Sequence, residues 1–481
     1  MYPSLLTLSN LPVSLPALLG CVAFAGCVVY IIYQRYFHPL ADFPGPFWAS
    51  VTDLWQVIQF LSLKQPYNLT ELHEKYGEFV RYGPDNLSIT AEEVVPLVYQ
   101  KGGRRMPKTE YYDAFGSNIP NVFGMRDVEL HSIRRRHMSN SFSLSSVKGM
   151  EHHLDENIKL LREKITKFAN DGESFDLKKL LHYYTIDVLG ELAFSRSFGV
   201  QISDDESLVP PVVPHTLLGS MTGSWPAMTQ TLKKWLPRIP HPGLRALFEG
   251  RAKCARLAVE CVRRRLGELE KQEGESAKDG RTDLLTNLIL AKHPDSGEKL
   301  ARIDLEAEAF GFIIAGTHTT SATTTLLFWN LLHNLESLSK CVREIDQHLT
   351  PLDDEKTAYS TSVAVCNHAF HHNPRVWGDD HGNFDPSRWE NEETAERARY
   401  LMHFGLGGRQ CIGKALAQTN IYKLASTLLG EFDFQLADAQ ERDEVKKGSF
   451  TGKLPPMAAV GGSDLDGPLM VTASTRLSKD D

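Results

Sequence analysis

The residues with the most specific chemical signature lie near the end of the chain, in the glycine-rich stretch FGLGGRQCIG that contains Cys411. A cysteine thiolate is a good ligand for a soft transition metal, and backbone N–H groups directed at the sulfur tune its basicity. Gly407 and Gly413 allow the backbone to approach the sulfur closely. Arg409 offers a permanent cation for an anionic group of a metal cofactor, and Phe404 offers apolar surface that keeps water off the sulfur. The stretch therefore predicts a thiolate metal site at Cys411.

The other six of the seven cysteines lack comparable surroundings. All seven cysteines together are an odd number, and the sequence has no C-x-x-C pair and no histidine partner at zinc spacing. Neither a disulfide framework nor a zinc site is therefore indicated. A free cysteine otherwise behaves as a small buried hydrophobe. Chemistry is predicted for Cys411 alone.

A second candidate segment lies upstream, in an apolar helical stretch over residues 310–325. Its run AGTHTT, from Ala315 to Thr320, places a glycine and consecutive threonines where they weaken helix propensity. The run predicts an interruption of the helix at a functional position. Threonines that cap or bend a buried helix would give the same pattern.

The two segments together resemble the cytochrome P-450 family. The family's cysteine-ligand signature, F-x-x-G-x-R-x-C-x-G, is matched at every fixed position of the stretch that ends at Gly413. The resemblance implies that Cys411 is the axial thiolate ligand of a haem iron and that Arg409 binds a haem propionate. It also implies that Phe404, Gly407 and Gly413 form the cofactor-binding loop.

The threonine segment is similar to the family helix that crosses the distal face of the haem. The similarity implies that Ala315 and Gly316 leave room for oxygen and that Thr319 relays protons to it. Where the family usually has an acid before the threonine, this chain has His318. A histidine can also pass a proton near neutral pH, so the resemblance implies an altered relay.

A third match begins at His131, where HSIRR looks like the W-x-x-x-R pattern of the family helix that reaches the propionates. His131 stands in the tryptophan position, and Arg135 would be the propionate partner. The neighbouring Arg134 and Arg136 would then contribute to a basic surface for an acidic electron donor, or form a solvated helix face.

Taken together, the resemblance implies a monooxygenase that hydroxylates a small lipophilic substrate with O2. NADPH would supply electrons through a cytochrome reductase. The chain looks most like fungal microsomal members of the benzoate 4-monooxygenase and pisatin demethylase type, which favours an aromatic or secondary-metabolite substrate. A haem-thiolate isomerase or dehydratase is an alternative, but in that branch the threonine is usually replaced and the cysteine loop interrupted.

The elements that position these residues begin with a predicted membrane anchor over residues 1–34. This stretch has no charged residue, and residues 11–33 are apolar for long enough to cross a bilayer. Arg35 gives a weak positive-inside signal, which predicts a single-pass protein of the endoplasmic reticulum membrane with a cytosolic catalytic domain. A cleaved secretory signal is the alternative, but the apolar run is too long and lacks a basic n-region. Residues 35–50 contain FPGP and predict a rigid hinge.

Residues 51–481 predict one large, mainly α domain with small β-sheets. Apolar residues recur three or four apart over 147–168, 244–271 and 304–335, and strand-like alternation is sparse. The composition, 42% hydrophobic and 23% charged, is that of an ordinary globular protein. A formal net charge of -8 argues against nucleic acid as a partner.

One family element has no counterpart in this sequence. Between the threonine helix and the cysteine loop, the family places a helix with an E-x-x-R motif, which forms a buried ionic cluster with an arginine like Arg388, and then short strands. Here residues 355–360 pass directly to the strand-like run 361–366, so an internal deletion near 360/361 is predicted. The letters E-x-x-R at 260–263 and 396–399 are in the wrong place.

The predicted deletion affects whether this chain can fold stably, bind haem and act as an enzyme. Loss of one partner from a buried ionic cluster typically costs about 3 to 5 kcal/mol. The chain is therefore interpreted either as a mis-spliced or mis-predicted version of an intact enzyme, or as a truncated, non-catalytic relative with impaired haem binding.

Overall fold

The computed structural model describes residues 15–99, 107–117, 119–272, 283–292, 297–347, 364–365, 367–460 and 462–476. Most of these residues are helical, which confirms the prediction of a mainly α protein with small sheets. The helices are α1 (Leu15–Ile32), α2 (Phe47–Val51), α3 (Leu54–Leu61), α4 (Gln65–Tyr76), α5 (Val94–Tyr99), α6 (Val128–Ser139), α7 (Leu144–Gly149), α8 (Glu151–Asp171), α9 (Leu177–Phe194), α10 (Val200–Ser203), α11 (Val212–Gly223), α12 (Thr229–Trp235), α13 (Pro242–Gln272), α14 (Leu284–Leu290), α15 (Arg302–His333), α16 (Leu335–Gln347), α17 (Asn367–His371), α18 (Pro374–Trp377), α19 (Glu392–Arg397), α20 (Lys414–Glu431) and α21 (Ala439–Lys446).

The strands form three small sheets. They are β1 (Phe79–Gly83), β2 (Asn86–Ile89), β3 (Phe175–Asp176), β4 (Ala364–Val365), β5 (Phe432–Leu436), β6 (Met457–Ala459), β7 (Ser463–Leu465) and β8 (Met470–Thr475). The sheet orders are β1-β2-β4, β3-β8-β5 and β6-β7, and every pairing is antiparallel except β2 with β4. In β5 the alternation FDFQL buries every second residue, as expected where one face of a sheet packs on the core.

Helix α15 lies at the centre of the fold, where it packs against α9 and α13. Asp304 stabilises its first turn by accepting a hydrogen bond from the Ala301 N–H at 3.2 Å. The helix runs without a break to His333, so the predicted interruption at residues 315–320 is wrong. The threonine hydroxyls bond inside the helix instead: Thr317 donates to the Ile313 carbonyl at 2.6 Å, and Thr319 and Thr323 bond in the same way.

The predicted helices at 147–168 and 244–271 correspond to α7 with α8 and to α13. Met150 separates α7 from α8, because its backbone leaves the helical region there. The sequence junction at 360/361 lies outside the described residues. On its two sides, α16 ends at Gln347, and the short strand β4 pairs with β2.

The amino-terminal helix is exposed along its whole described length. Together with one π-helical turn, Tyr33–Phe37, it forms a 23-residue helix with a mean hydropathy of 2.4, long and apolar enough to cross a membrane. It therefore extends beyond Arg35, and residues 1–14 lie outside the described part of the chain.

The segment after this helix is fastened to β1 by Arg81. The Arg81 side chain is 1% exposed and donates from Nη1 to the Gln34 carbonyl at 2.7 Å and from Nη2 to Gln34 Oε1 at 2.6 Å. The Arg81 N–H donates to the Pro44 carbonyl at 2.7 Å. A Cβ on Gly45 would lie 2.0 Å from the Arg81 carbonyl oxygen, so only glycine allows this approach.

Candidate active site

The cysteine loop is a tight turn that presents Cys411 just before α20. The Cys411 N–H donates to the Phe404 carbonyl at 2.8 Å, and the Gln410 N–H donates to the Gly407 carbonyl at 3.0 Å. Gly407 adopts a φ of +71°, which a side chain would strain. Gly405, which the sequence analysis did not single out, adopts a φ of +69° for the same reason.

The sulfur of Cys411 lies in a recess of the protein. Burial raises the pKa of the Cys411 thiol, and the backbone N–H of Gly413 and the charge of Arg135 oppose that rise. The side chain is nevertheless accessible to solvent, so it is surrounded by protein without being packed into the core. The N–H of Gly413 bonds to the sulfur, and a Cβ on Gly413 would lie 3.9 Å from it, so contact with the sulfur alone does not require glycine here.

Two arginines connect the cysteine loop to the region around α6. Arg135, from α6, donates from Nη1 to the Gln410 carbonyl at 2.7 Å. Arg409, from the loop, donates to the Met125 carbonyl at 2.5 Å and to the Arg126 carbonyl at 3.0 Å. The structure thus brings together the two arginines that the sequence predicted as propionate ligands. A guanidinium has five N–H groups, so one arginine can bind more than one acceptor.

Lys108 joins these arginines in a cationic cluster, and the His131 ring lies within reach of their charges. Burial, and then the charge of Arg409, lowers the pKa of Lys108 to about 7. Burial, and then the charges of Arg409, Arg135 and Lys108, lowers the pKa of His131 to about 3, so the imidazole is neutral at pH 7. Crowded cations stabilise an anion placed among them. The donor set of Arg135, Arg409 and Lys108 therefore fits two carboxylates, as haem propionates would present.

One face of α15 is open in the middle of an otherwise buried helix. Ala315, Thr319 and Thr323 are each exposed, and they are four residues apart. The Thr319 hydroxyl donates to the Ala315 carbonyl at 2.8 Å. The predicted residues Ala315 and Thr319 therefore line open space together, with Thr323 as a further hydroxyl on the same face.

Gly316 lies on the side of α15 that packs against α9. A Cβ there would lie 2.5 Å from Leu189 Cδ1 on α9. The small residue allows α15 and α9 to approach each other, and its role in leaving room for oxygen stays a prediction.

His318 also points away from the open face of α15, towards the β6–β7 hairpin. Its Nε2 lies 3.3 Å from Asp464 Oδ2, and Lys178 Nζ lies 3.1 Å from the same carboxylate oxygen. Burial raises the pKa of Asp464, but the hydrogen bond with His318 and the charge of Lys178 prevail and hold it below its ordinary value. Asp464 was missed by the sequence analysis, because nothing local in the sequence shows that β7 packs against α15.

Arg134 is not part of a basic docking surface. Its side chain is 12% exposed and pairs with Asp304 at 2.5 Å and with Glu308 at 3.0 Å, both on α15. Burial raises the pKa of Glu308 to about 7, against the opposing charge of Arg134. Arg136 is exposed, so it is the member of this triplet that remains at the surface.

A cysteine whose sulfur accepts a hydrogen bond from a backbone N–H, beside cations that suit two carboxylates, is the arrangement expected of a haem-thiolate protein. Comparison with known families agrees with this class. The cytochrome P-450 family model matches residues 44–360 and 352–458. The chain belongs to the cytochrome P-450 family, and the family implies a haem-thiolate cofactor.

Several curated relatives are fungal monooxygenases. Cytochrome P-450 monooxygenase gsfF of Penicillium aethiopicum is 27% identical over 492 residues, covering 87% of this chain and 93% of the relative. Benzoate 4-monooxygenase bphA of Aspergillus niger is 26% identical over 489 residues, covering 86% and 92%. A monooxygenase of Aspergillus terreus is 26% identical, covering 86% and 94%. These similarities identify the enzyme class as a cytochrome P-450 monooxygenase.

The family match is divided in two at residues 352–360. An alignment of 492 residues that uses 87% of a 481-residue chain also contains positions of the relative that have no counterpart here. The family match is therefore divided close to the junction at 360/361, and the alignment length shows that residues of the relative are unmatched.

Proposed function

We propose that this chain is a membrane-anchored monooxygenase that hydroxylates a small lipophilic or aromatic substrate with O2, using electrons that an NADPH-dependent reductase delivers. The observation that carries the proposal is the cationic cluster of Arg135, Arg409 and Lys108 beside the loop of Cys411. Cys411 is the proposed axial ligand, and the three cations are the proposed propionate ligands. Bound there, haem would supply the activation of O2.

Thr319 is the residue proposed to hold a proton at the site of oxygen chemistry. Its hydroxyl is fixed by donation to the Ala315 carbonyl at 2.8 Å, on the open face of α15. The hydroxyl oxygen retains acceptor capacity for a water molecule. Ala315 leaves space beside that hydroxyl because it carries only a methyl group.

The altered relay is proposed to leave Thr319 to act with water alone, because His318 points away from the open face of α15 and forms a separate ion-paired cluster with Asp464 and Lys178. Asp464 accepts hydrogen bonds from both neighbours, and the Asp464 and Lys178 side chains are 20% and 26% exposed.

An aromatic cluster supports a lipophilic or aromatic substrate. Its rings contact one another with centroids 5.1 to 6.4 Å apart, and one of them, Phe123, is 51% exposed. The members are Tyr111, Tyr112, Phe115 and Phe123. The relative from Aspergillus niger is named for benzoate, an aromatic acid, and its name supports the same class of substrate.

The membrane location is proposed from the apolar helix over residues 15–37 and from α3. Leu54, Ile58 and Leu61 form an exposed apolar stripe on α3, close after the membrane helix. Arg35 at the end of the anchor supports an endoplasmic reticulum protein whose catalytic domain faces the cytosol.

Carbon monoxide difference spectroscopy tests the proposal. The full chain is expressed in membranes and reduced under carbon monoxide. A red-shifted Soret band is expected from thiolate-ligated haem, and Cys411→Ser is expected to abolish it while protein of normal size remains. A band that persists in Cys411→Ser would assign the ligand elsewhere.

A second candidate function is that of a non-catalytic, membrane-anchored relative that does not retain haem. The division of the family match at residues 352–360 favours it. If this candidate is correct, the 481-residue chain gives no red-shifted Soret band. A chain with the relatives' segment restored between residues 360 and 361 then gives the band. Sequencing the transcript separates a natural form from a gene-model error, because a message that reads directly from Ser360 to Thr361 excludes the error.

A further inference from the structure

A separate pocket lies between the carboxyl end of α9, the turn that follows it, and the middle of α13. Its volume is about 350 Å³, within the range of small-molecule sites. None of the residues that line it belongs to the candidate active site. We call it the basic pocket, after the side chains described next.

Four cationic side chains line the basic pocket against one carboxylate, Glu260. They are Arg196, Lys253, Arg256 and Arg264. This local excess of positive charge occurs in a chain whose formal net charge is -8. A concave, cationic surface concentrates anions from solution.

Two of the four cations have no partner among the residues that the structure describes. Arg264 donates to the Phe194 carbonyl at 2.6 Å, and Lys253 donates to the Ser207 carbonyl at 2.5 Å. Arg196 and Arg256 are exposed and make no side-chain hydrogen bond or ion pair within that part of the chain. A guanidinium with unused donors binds carboxylate, sulfonate or phosphate oxygens in pairs.

The floor of the basic pocket is apolar. Phe194 is 1% exposed and Cys261 is 6% exposed, and Leu257 packs against the same core. Burial raises the pKa of the Cys261 thiol to about 11, against the opposing charges of Arg264 and Arg196. The thiol is therefore neutral, and the guanidinium groups that affect it lie near this floor.

We infer that the basic pocket binds a small organic anion with an apolar body, such as an aromatic sulfonate or carboxylate. The anionic group pairs with Arg196 and Arg256 at the mouth. The apolar body packs on Phe194 and Leu257. Both parts are required, because the cations alone would hold any anion and the floor alone would hold any hydrocarbon.

Calorimetric titration of the full chain with 1-naphthalenesulfonate tests this inference. We expect saturable binding that the double variant Arg196→Gln/Arg256→Gln weakens by about tenfold or more, because two charge-assisted contacts are lost. Arg256→Lys on its own is expected to keep part of the affinity. The matched control is Arg263→Gln, which removes the same charge from an exposed position of α13 outside the lining.

Four outcomes would overturn the inference. The first is an equal loss of affinity in Arg263→Gln, which indicates general electrostatics. The second is unchanged affinity in the double variant, which assigns the probe to another site. The third is equal binding of uncharged 2-methoxynaphthalene, which shows that the apolar body suffices. The fourth is equal competition by inorganic sulfate, which shows that the negative charge suffices. Unchanged unfolding midpoints of the variants exclude a folding effect, and they are expected because neither arginine side chain makes a hydrogen bond or ion pair within the described part of the chain.

Discussion

Lys108 is the residue whose environment differs most from what its place in the sequence suggests. Its ammonium group lies 4.0 Å from the Tyr112 ring centroid and 4.1 Å from that of Phe123, and it donates to the Phe123 carbonyl at 2.6 Å. Burial and Arg409 lower its pKa to about 7. A bound dianion would favour the charged ammonium and return that pKa towards its ordinary value, so haem binding and protonation of Lys108 are linked.

Lys108→Met is expected to weaken haem retention. The substitution removes one of three proposed propionate ligands, and a lost charge-assisted hydrogen bond costs about 1.5 to 3 kcal/mol, or roughly a tenfold to hundredfold faster loss of haem. The measurement is the Soret absorbance that remains after transfer to apomyoglobin over time. Lys159→Met, at an exposed position of α8, is the control and should retain haem like the parent chain. Equal retention in both variants would remove Lys108 from the set of ligands.

Gly316→Ala is expected to destabilise the protein although it replaces glycine in the middle of a helix. The new Cβ would lie 2.5 Å from Leu189 Cδ1, and overpacking of this kind costs about 1 to 3 kcal/mol. Gly267→Ala in α13 is the matched control, because nothing lies within 4 Å of its Cβ position and helix propensity then favours alanine by about 1 kcal/mol. Chemical unfolding in detergent measures both. The added change Leu189→Ala should relieve part of the cost in Gly316→Ala, and a Gly316→Ala protein as stable as the parent would contradict the close packing of α15 on α9.

Among the elements, the anchor helix has an unusual attachment to the rest of the protein. Arg81 from β1 caps its last turn through Gln34, and it also donates to the Pro84 carbonyl at 2.7 Å. A single buried side chain thus fixes the end of the membrane helix to the first sheet. The orientation of the helix relative to β1 depends on this cap.

Arg81→Met is expected to loosen that attachment. It leaves the Gln34 and Pro84 carbonyls without their donor, at about 1 to 3 kcal/mol for each buried group left unpaired. Limited proteolysis in membranes should then cut faster between residues 38 and 46, which connect the anchor to α2. Arg35→Met is the control, because Arg35 takes no part in this cap and contacts Ser50 Oγ at 3.4 Å and the Phe47 ring at 5.8 Å from its centroid. Cleavage at the parent rate in Arg81→Met would show that the FPGP run alone holds the segment.

Sequence periodicity predicted the long elements, because a helix that buries one face repeats apolar residues at its own period. Periodicity predicted α13 and α15 within a few residues. The cysteine loop was predicted by a different signal, the fixed spacing of its motif. Periodicity could not predict pairs such as His318 with Asp464 or Arg81 with Gln34. Such pairs depend on which elements pack together, and no local pattern encodes that. The prediction of a break in α15 was wrong because a threonine hydroxyl can donate its hydrogen bond to a backbone carbonyl of the same helix, as Thr319 does to Ala315.

At the scale of the whole molecule, buried histidines should make stability depend on pH. Burial lowers the pKa of His215 and of His131 to about 3 and that of His182 to about 4, from an ordinary value of 6.5. The folded state therefore holds these imidazoles neutral, whereas the unfolded chain protonates them below pH 6.5. Their contribution to stability is complete above pH 6.5 and is lost as the pH falls towards 4 to 3, by up to about 1.4 kcal/mol per pH unit for each histidine.

His215→Leu is expected to make this acid dependence shallower. His215 is 1% exposed, and neither ring nitrogen has a hydrogen-bond partner, so leucine removes both the titration and two unpaired polar atoms. Denaturant unfolding at pH 7.5, 6.5, 5.5 and 4.5 should give a slope smaller by about one proton. His241→Leu, at an exposed position, should follow the parent curve. A parent protein equally stable at pH 7.5 and 4.5 would contradict the linkage.

The division of the family match at residues 352–360 makes a prediction about Arg388, the arginine that resembles the family's ionic-cluster residue. Within the part of the chain that the structure describes, its side chain is 14% exposed and bonds to its own turn, including the Asp380 carboxylate at 3.3 Å and the Asn383 carbonyl at 3.2 Å. In this form, Arg388→Met should cost about 1 to 3 kcal/mol of unfolding free energy, and Asp380→Asn should account for part of that cost.

In a chain with the relatives' segment restored between residues 360 and 361, Arg388 gains buried carboxylate partners, and the same substitution should cost about 3 to 5 kcal/mol. Asp380→Asn should then have little effect, since Arg388 no longer depends on it. Equal costs in the two chains would show that the restored segment forms no ionic cluster with Arg388, and that the 481-residue form holds this turn without it.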